Sequence, residues 1–274
     1  MRSRPAPLAA PAPPWPTASP SAYEDLLGYV LWPADYSDHL WNHGYGDIMN
    51  ALLTPMAANP DQAASMIANG MCSAKASDLA DRLVARTREI IAPTPAQQAA
   101  LDELSAALRQ AIERGRVSVC SGTGDPLKRM VDGLWTMWDA TLLLQDPLEK
   151  FYDSLTDAQK AKLAGETSAG QALARVCADQ HSGDWSPERL AQALGAGEAQ
   201  RLTLATLRER SSELIKFLAG SCPEGSEPTP LDRLQAARNR MNALLYVVMS
   251  MSPAVSELYG ARADDAHRPS ASKH

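Results

Sequence analysis

An internal repeat is the feature that most constrains the fold of this chain. Cysteines, apolar stripes and a tyrosine recur about 102 to 107 residues apart, and the spacing drifts slowly, as loop insertions and deletions would make it. The matched pairs are Cys72 with Cys177, Gln97 with Gln200, Leu101 with Leu204, Leu104 with Leu207, Ile112 with Ile215, Cys120 with Cys222, Arg129 with Arg233, Met130 with Leu234, Met137 with Met241, Leu144 with Val248 and Tyr152 with Tyr259. The repeat predicts two tandem copies of one module.

Proline residues mark where helices are predicted to begin in the two copies. A small polar residue precedes proline at six places. The side chain of the polar residue can cap the free amides at a helix start, and proline at the first helical position lacks only an amide that would have no hydrogen-bond partner there. These predicted helix starts are Thr94-Pro95, Asp125-Pro126, Asp146-Pro147, Ser186-Pro187, Thr229-Pro230 and Ser252-Pro253, and Thr156 starts another helix without proline. Since no alternating β-branched run is long enough for a strand, we predict an all-α fold.

The apolar residues follow helical spacing. In copy one they are Leu101, Leu104, Leu108 and Ile112 on one helix, and Leu127, Met130, Leu134, Met137, Thr141, Leu144 and Leu148 on the next. Each set lies on one face, which predicts the core of a helical hairpin or bundle; the alternative is a groove for a partner helix or an unfolded chain. The predicted order is a disordered Pro/Ala arm (1–20), an aromatic acidic segment (21–58), helical module 1 (59–165), helical module 2 (166–260) and a disordered tail (261–274).

Charge and motifs exclude several functional classes. A net charge of −6 and a pI near 5.4 argue against binding nucleic acid through phosphate neutralisation. No apolar run is long enough to predict a transmembrane helix. No apolar signal region is visible near Met1, so an exported form would carry its signal upstream of this sequence. The chain has no GxSxG, HExxH, GxGxxG or Walker motif, and we predict a non-enzyme without cofactors.

Four cysteines allow three disulfide pairings, and the repeat favours one of them. A duplicated module is expected to keep its bridge internal, which predicts Cys72 with Cys120 and Cys177 with Cys222. The alternative is four free thiols in a reducing compartment. No CxxC motif is present, so neither a thioredoxin-type redox site nor a zinc knuckle is indicated.

Tyrosine and tryptophan concentrate in the acidic segment before the first module. The aromatic residues there are Tyr23, Tyr29, Trp32, Tyr36, Trp41 and Tyr45. Such rings are common at protein interfaces because they bury a large area at a small entropic cost, which makes them candidates for binding partners or clients. In the alternative interpretation the segment folds back and buries its rings on the helical body.

Two histidines in the same segment have the spacing of a metal pair. His39 and His43 stand four residues apart, so on a helix both imidazoles would share one face. Asp35, Asp38 and Asp47 lie nearby, but no third ligand is evident from the sequence. The pair is a candidate metal site without a defined metal.

Two short motifs have the form of a capping box. Thr94 and Gln97 form a TxxQ pattern, and Leu155, Thr156 and Gln159 form LTxxQ. In a capping box the threonine oxygen accepts from the amide of the glutamine residue, and the glutamine side chain reaches back to the amide of the threonine. Taken alone, the two motifs predict two helix starts.

Together with their surroundings these motifs resemble a known family. The stretch Pro93 to Leu104, a following cysteine and the sequence Phe-Tyr-x-Ser-Leu at 151–155 are similar to the alphaproteobacterial branch of the LTxxQ-motif, Spy/CpxP-like periplasmic proteins. Copy two departs from the pattern, since Gly197 stands where the capping threonine would be and no LTxxQ follows Tyr259. The resemblance implies an all-helical, periplasmic, ATP-independent chaperone or stress-sensing role, with metal-responsive members.

These observations lead to two functional hypotheses. The first is a periplasmic holdase-like chaperone or envelope-stress protein that binds unfolded or partner proteins. The second is a structural or accessory subunit that docks on a larger envelope assembly through its aromatic segment. The sequence does not specify the oligomeric state, the clients or the partners.

Overall fold

A computed structural model describes residues 19–31, 77–120, 126–164, 198–221 and 229–267 of the chain. These residues form seven α-helices and contain no strand, which confirms the all-α prediction. The helices are α1 (Ser19–Leu31), α2 (Ser77–Ile91), α3 (Pro95–Val119), α4 (Pro126–Asp153), α5 (Asp157–Ala164), α6 (Glu198–Ala219) and α7 (Pro230–His267). Within these ranges, no helix combines the length and apolar character needed to cross a bilayer.

The long helices of copy one form an antiparallel pair. At one end of the pair, the Thr136 hydroxyl of α4 donates to the Ser118 hydroxyl of α3 at 2.7 Å. At the other end, Lys150 of α4 forms an ion pair with Glu103 of α3. Because residue numbers rise along α4 as they fall along α3, the two helices run in opposite directions.

The long helices of copy two pair in the same way. The Phe217 ring of α6 lies 4.7 Å from the Tyr246 ring of α7, centroid to centroid. Closer to the start of α7, Arg240 donates to the Ser221 hydroxyl just beyond α6 at 3.1 Å. Helix α7 also packs against α4, so helices from both copies contribute to one hydrophobic cluster.

The apolar stripes predicted from the sequence are confirmed as core. All of the stripe residues whose side chains the structure describes are buried: Leu101, Leu104, Leu108, Ile112, Met130, Leu134, Met137, Thr141, Leu144 and Leu148. Their counterparts Leu234, Met241 and Val248 on α7 are buried as well. These stripes therefore belong to the interior of the fold and do not form an open groove.

The predicted helix starts are confirmed at Pro95, Pro126 and Pro230, and α5 begins directly after Thr156. The predictions at Asp146-Pro147 and Ser252-Pro253 are wrong, because both prolines lie inside helices. A proline inside a helix removes one backbone hydrogen bond, but Leu144 and Leu148 are buried on either side of Pro147 and hold α4 in register. The pair at Ser186 lies outside the described residues.

The ends predicted for the ordered region differ by a few residues from those observed. Helix α1 begins at Ser19, inside the predicted disordered arm. Helix α7 continues to His267, past the predicted start of the tail at 261, because the alanine and arginine residues beyond Gly260 favour helix. The module boundaries near 58 and 165 fall outside the described residues and stay predictions.

Candidate functional site

The first motif forms the predicted capping box at the start of α3. The Thr94 hydroxyl accepts from the Gln97 amide at 3.4 Å, and the Thr94 amide donates to the Gln97 Oε1 at 2.9 Å. Two residues before Thr94, Ala92 has a φ of 48°, the left-handed conformation that often ends a helix and that is strained for alanine. The chain therefore turns sharply from α2 into α3 at a fixed angle.

The LTxxQ motif forms a second capping box at the start of α5. The Thr156 hydroxyl accepts from the Gln159 amide at 3.3 Å, and the Thr156 amide donates to the Gln159 Oε1 at 2.9 Å. Leu155, the residue before the cap, is buried in the core. The chain makes its turn from α4 into α5 here.

The two capping glutamines also bind each other. Gln97 Nε2 donates to Gln159 Oε1 at 2.9 Å, and Gln159 Nε2 donates to Gln97 Oε1 at 3.2 Å. The second proton of each amide goes to a backbone oxygen of the other turn: Gln97 to Ser154 at 2.8 Å, and Gln159 to Ile91 at 3.1 Å. We call this pair the glutamine clasp.

The clasp satisfies every donor and acceptor of the two side-chain amides. Each Nε2 uses both of its protons, and each Oε1 accepts from its own capping residue and from the other glutamine. Lys162 adds a bond from its ammonium to the Ile90 oxygen at 3.2 Å, which neutralises the negative end of α2. The clasp joins the α2–α3 and α4–α5 turns and contains no acid, base or nucleophile.

Buried arginines on α7 were not assigned a role from the sequence. Arg233 is 1% exposed, and its guanidinium donates to the Val30 oxygen at 3.0 Å and to the Leu163 oxygen at 3.2 Å. Burial lowers the pKa of Arg233 to about 10, with the nearby Tyr29 acting in the opposite direction. Arg240, also buried, donates to the Leu218 oxygen at 3.0 Å near the end of α6. Both arginines thus place positive charge at the negative ends of neighbouring helices.

A partly buried arginine links α7 to α4 between these two. Arg238 donates to the Thr141 hydroxyl at 3.1 Å, to the Thr141 backbone oxygen at 3.0 Å and to Gln145 Oε1 at 2.8 Å. Burial lowers its pKa. A sequence signal for the arginines did exist, since Arg233 and Arg240 are seven residues apart and adjoin the apolar stripe of α7.

The aromatic residues of α1 are part of the core. The Tyr23 hydroxyl donates to the Ala111 oxygen at 2.7 Å, and both Tyr23 and Tyr29 are buried. The prediction that these two rings bind a partner is wrong, because the helix turns its apolar side onto the bundle and covers them. The alternative, in which the segment folds back, is confirmed for Tyr23 and Tyr29. Trp32, Tyr36, Trp41 and Tyr45 lie outside the described residues.

Exposed apolar side chains occur instead on the long helices. Phe217 is 48% exposed and its ring contacts that of Tyr246, which is 49% exposed; Met249, one turn further along α7, is 57% exposed. We call these three residues the apolar patch. On α4, Trp135 and Leu142 are also exposed on one face, and the Trp135 ring stands edge-on to Trp138 at 5.6 Å.

The remaining predicted site residues are the cysteines and histidines, of which the structure describes only one. Cys120 is the C-cap of α3 and is disulfide-bonded. Cys72, Cys177 and Cys222 lie outside the described residues, so the pairing stays a prediction. His39 and His43 also lie outside them. In the part of the chain that the structure describes, no three His, Cys, Asp or Glu side chains come close enough to hold a metal ion.

Comparisons with protein-family models, curated proteins and solved structures found no match to this chain. The resemblance to the LTxxQ-motif family therefore depends on the residues of the two capping boxes and their surroundings alone.

Proposed function

We propose that this protein is an ATP-independent, holdase-like chaperone or stress protein of the periplasm and has no catalytic activity. The observation that carries the proposal is the apolar patch, in which the half-exposed rings of Phe217 and Tyr246 are in contact and the exposed Met249 lies one turn further along α7. Contiguous exposed apolar surface of this kind commonly marks a site of protein interaction. The capping boxes support the proposal only through the family resemblance that they carry.

The chemistry of the patch suits varied apolar segments. Phe217 and Tyr246 offer two ring faces at a tilt of 54°, and Met249 adds a flexible, polarisable side chain. Rings bury a large area at a small entropic cost, and methionine adapts its shape to different surfaces. Such a surface binds exposed apolar segments of unfolded chains weakly and releases them when they bury those segments by folding, without nucleotide.

The disulfide at Cys120 supports a location in an oxidising compartment. Structural disulfides persist in the periplasm and in secreted proteins, whereas reducing systems keep cytosolic thiols free. Periplasmic proteins work without ATP, which agrees with a binding function whose release step depends on client folding alone.

An aggregation assay with matched variants tests the proposal. We expect the wild-type protein at equimolar amounts to delay the aggregation of several unrelated denatured substrates without ATP. In the double variant Phe217→Ser/Tyr246→Ser, about thirtyfold more protein should be needed for the same delay, since two lost aromatic anchors at about 1 kcal/mol each weaken binding by about 2 kcal/mol.

Val117→Ser is the control for this assay. Val117 on α3 is 63% exposed and lies outside the patch, so its loss should leave the delay unchanged. Circular dichroism would verify that all variants keep their helical content. If wild-type protein in excess leaves every aggregation curve unchanged, the proposal is wrong. A single stoichiometric partner isolated from the native host would then favour an accessory subunit.

A further inference from the structure

Helix α1 is attached to the bundle at both of its ends. Its apolar side packs against α2, α3, α4 and α7, and its buried residues are Tyr23, Leu26, Leu27, Tyr29, Val30 and Leu31. Near its start, the Tyr23 hydroxyl donates to the Ala111 oxygen of α3. Near its end, the Val30 oxygen accepts from Arg233 of α7. In sequence, α1 lies far from the residues of α3 and α7 that it binds.

Arg233 serves two helix ends at once. Its guanidinium binds Val30 in the last turn of α1 and Leu163 in the last turn of α5. The carbonyl ends of helices carry partial negative charge, so the cation is what allows two such ends to lie close together. A buried cation in turn needs its acceptors, since losing one raises the free-energy cost of keeping the charge out of water.

Helix α5 connects Arg233 to the glutamine clasp. It has only 8 residues, too few to be stable in isolation, so contacts at its two ends must maintain it. Gln159 holds its first turn through the clasp, and Leu163 in its last turn is bound by Arg233. Gln159 and the Leu163 oxygen that binds Arg233 thus lie on the same short helix.

We propose that the glutamine clasp, α5 and Arg233 form one latch that controls the docking of α1. When the clasp opens, α5 loosens, Arg233 loses the Leu163 oxygen and turns toward water, and the end of α1 is released. Release uncovers the apolar side of α1 together with the surface that it covers on the bundle. This latch does not depend on the proposed holdase function.

Hydrogen exchange on the full chain, read by mass spectrometry, tests the latch. Gln159→Met keeps the side-chain length and removes the hydrogen bonds of the clasp. We expect amide exchange in residues 19–31 to accelerate by about fivefold or more, the usual scale of coupling between sites. Exchange in the centres of α3 and α4 should stay unchanged.

Gln98→Met is the matched control, because Gln98 lies beside Gln97 but bonds to Asp102 and Arg88 outside the clasp. It should leave exchange in α1 unchanged. If Gln159→Met accelerates exchange in α5 and leaves α1 as protected as in the wild type, the latch is refuted.

The reverse experiment covers the case in which Gln159→Met unfolds the protein. Coupling between two sites is reciprocal, so loosening α1 must also loosen α5. Tyr23→Phe removes one hydroxyl at the far end of α1, and we expect faster exchange in residues 157–164 as well as in α1. Faster exchange in α1 with no change in α5 would contradict the proposal.

Discussion

At the scale of single residues, the clasp depends on the amide group of glutamine. A carboxylate in the same place can accept hydrogen bonds but cannot donate them. Gln97 donates to both the Ser154 oxygen and Gln159 Oε1, and its side chain is buried. The clasp therefore predicts a sharp difference between glutamine and glutamate at this position.

Gln97→Glu should lower the free energy of unfolding by about 2–3 kcal/mol at neutral pH, because it removes both donors of a buried side chain and leaves the Ser154 oxygen and Gln159 Oε1 facing a carboxylate. The loss should shrink at acidic pH, where a protonated carboxyl group can donate again. Urea unfolding at several pH values measures both effects, with Gln98→Glu, at the less buried neighbouring position, as the comparison. Equal effects of the two substitutions would show that the clasp does not stabilise the fold.

Ala92 is the residue where backbone strain is expected to be relieved by glycine. Its φ of 48° is unfavourable for any residue with a Cβ atom, by about 1–2 kcal/mol. Glycine adopts this conformation freely but loses more entropy on folding, so Ala92→Gly should stabilise the protein by about 0.5–1 kcal/mol. A higher midpoint of thermal unfolding would confirm this, and a lower midpoint would contradict it.

The buried tyrosines make stability depend on alkaline pH. Burial raises the pKa of Tyr29 to about 12 and raises that of Tyr23 as well. Both pKa values are above those of the unfolded chain. The stability that the neutral, buried tyrosines contribute is therefore complete below about pH 10 and is lost as the pH rises toward the folded values. Arg233, whose pKa is lowered to about 10, opposes this trend, but one arginine acts against two tyrosines.

Ultraviolet absorbance of phenolate tests this dependence. Of the seven tyrosines, Tyr23 and Tyr29 should ionise only together with the loss of helical circular dichroism. In the variant Tyr23→Phe/Tyr29→Phe, unfolding above pH 10 should be shallower. Ionisation of all seven tyrosines before any loss of helix would contradict the burial of these two rings.

At the scale of helices, local sequence signals predicted where helices begin more accurately than where they continue. Thr94 and Thr156 cap their helices as the motifs predicted, since a capping box needs only residues within one turn. The sequence wrongly predicts helix starts at Pro147 and Pro253, because the packing contacts that maintain a helix through a proline come from distant parts of the chain. At 252 the serine hydroxyl donates backward to the Val248 oxygen at 2.7 Å, a contact inside a helix.

Pro253 therefore destabilises a helix that other contacts maintain. Its side chain is exposed, so replacing it loses little packing. Pro253→Ala restores a backbone donor toward the Met249 oxygen, and we expect a gain of about 1–3 kcal/mol in the free energy of unfolding. Denaturant unfolding measures the gain. No gain, or a loss, would show that α7 requires the distortion at this proline for its packing.

At the scale of the whole molecule, the sequence predicted the helical class, the core stripes and the capping residues. It did not predict that two capping boxes bind each other, because Gln97 and Gln159 are brought together only by the antiparallel pairing of α3 and α4. It also placed the interaction surface on the aromatic segment, although Tyr23 and Tyr29 are buried. The sequence did not distinguish Phe217 and Tyr246 from the apolar residues beside them, because only packing decides which of these side chains remain exposed.

Site-specific crosslinking tests most directly whether the apolar patch binds unfolded chains. The photoreactive residue p-benzoylphenylalanine would replace Tyr246 in one protein and Val117 in another, and each would be illuminated with a denatured substrate. We predict crosslinks from position 246 that disappear as the substrate folds, and few from position 117. Equal crosslinking at both positions, or none at 246, would contradict the assignment of the patch as the binding surface.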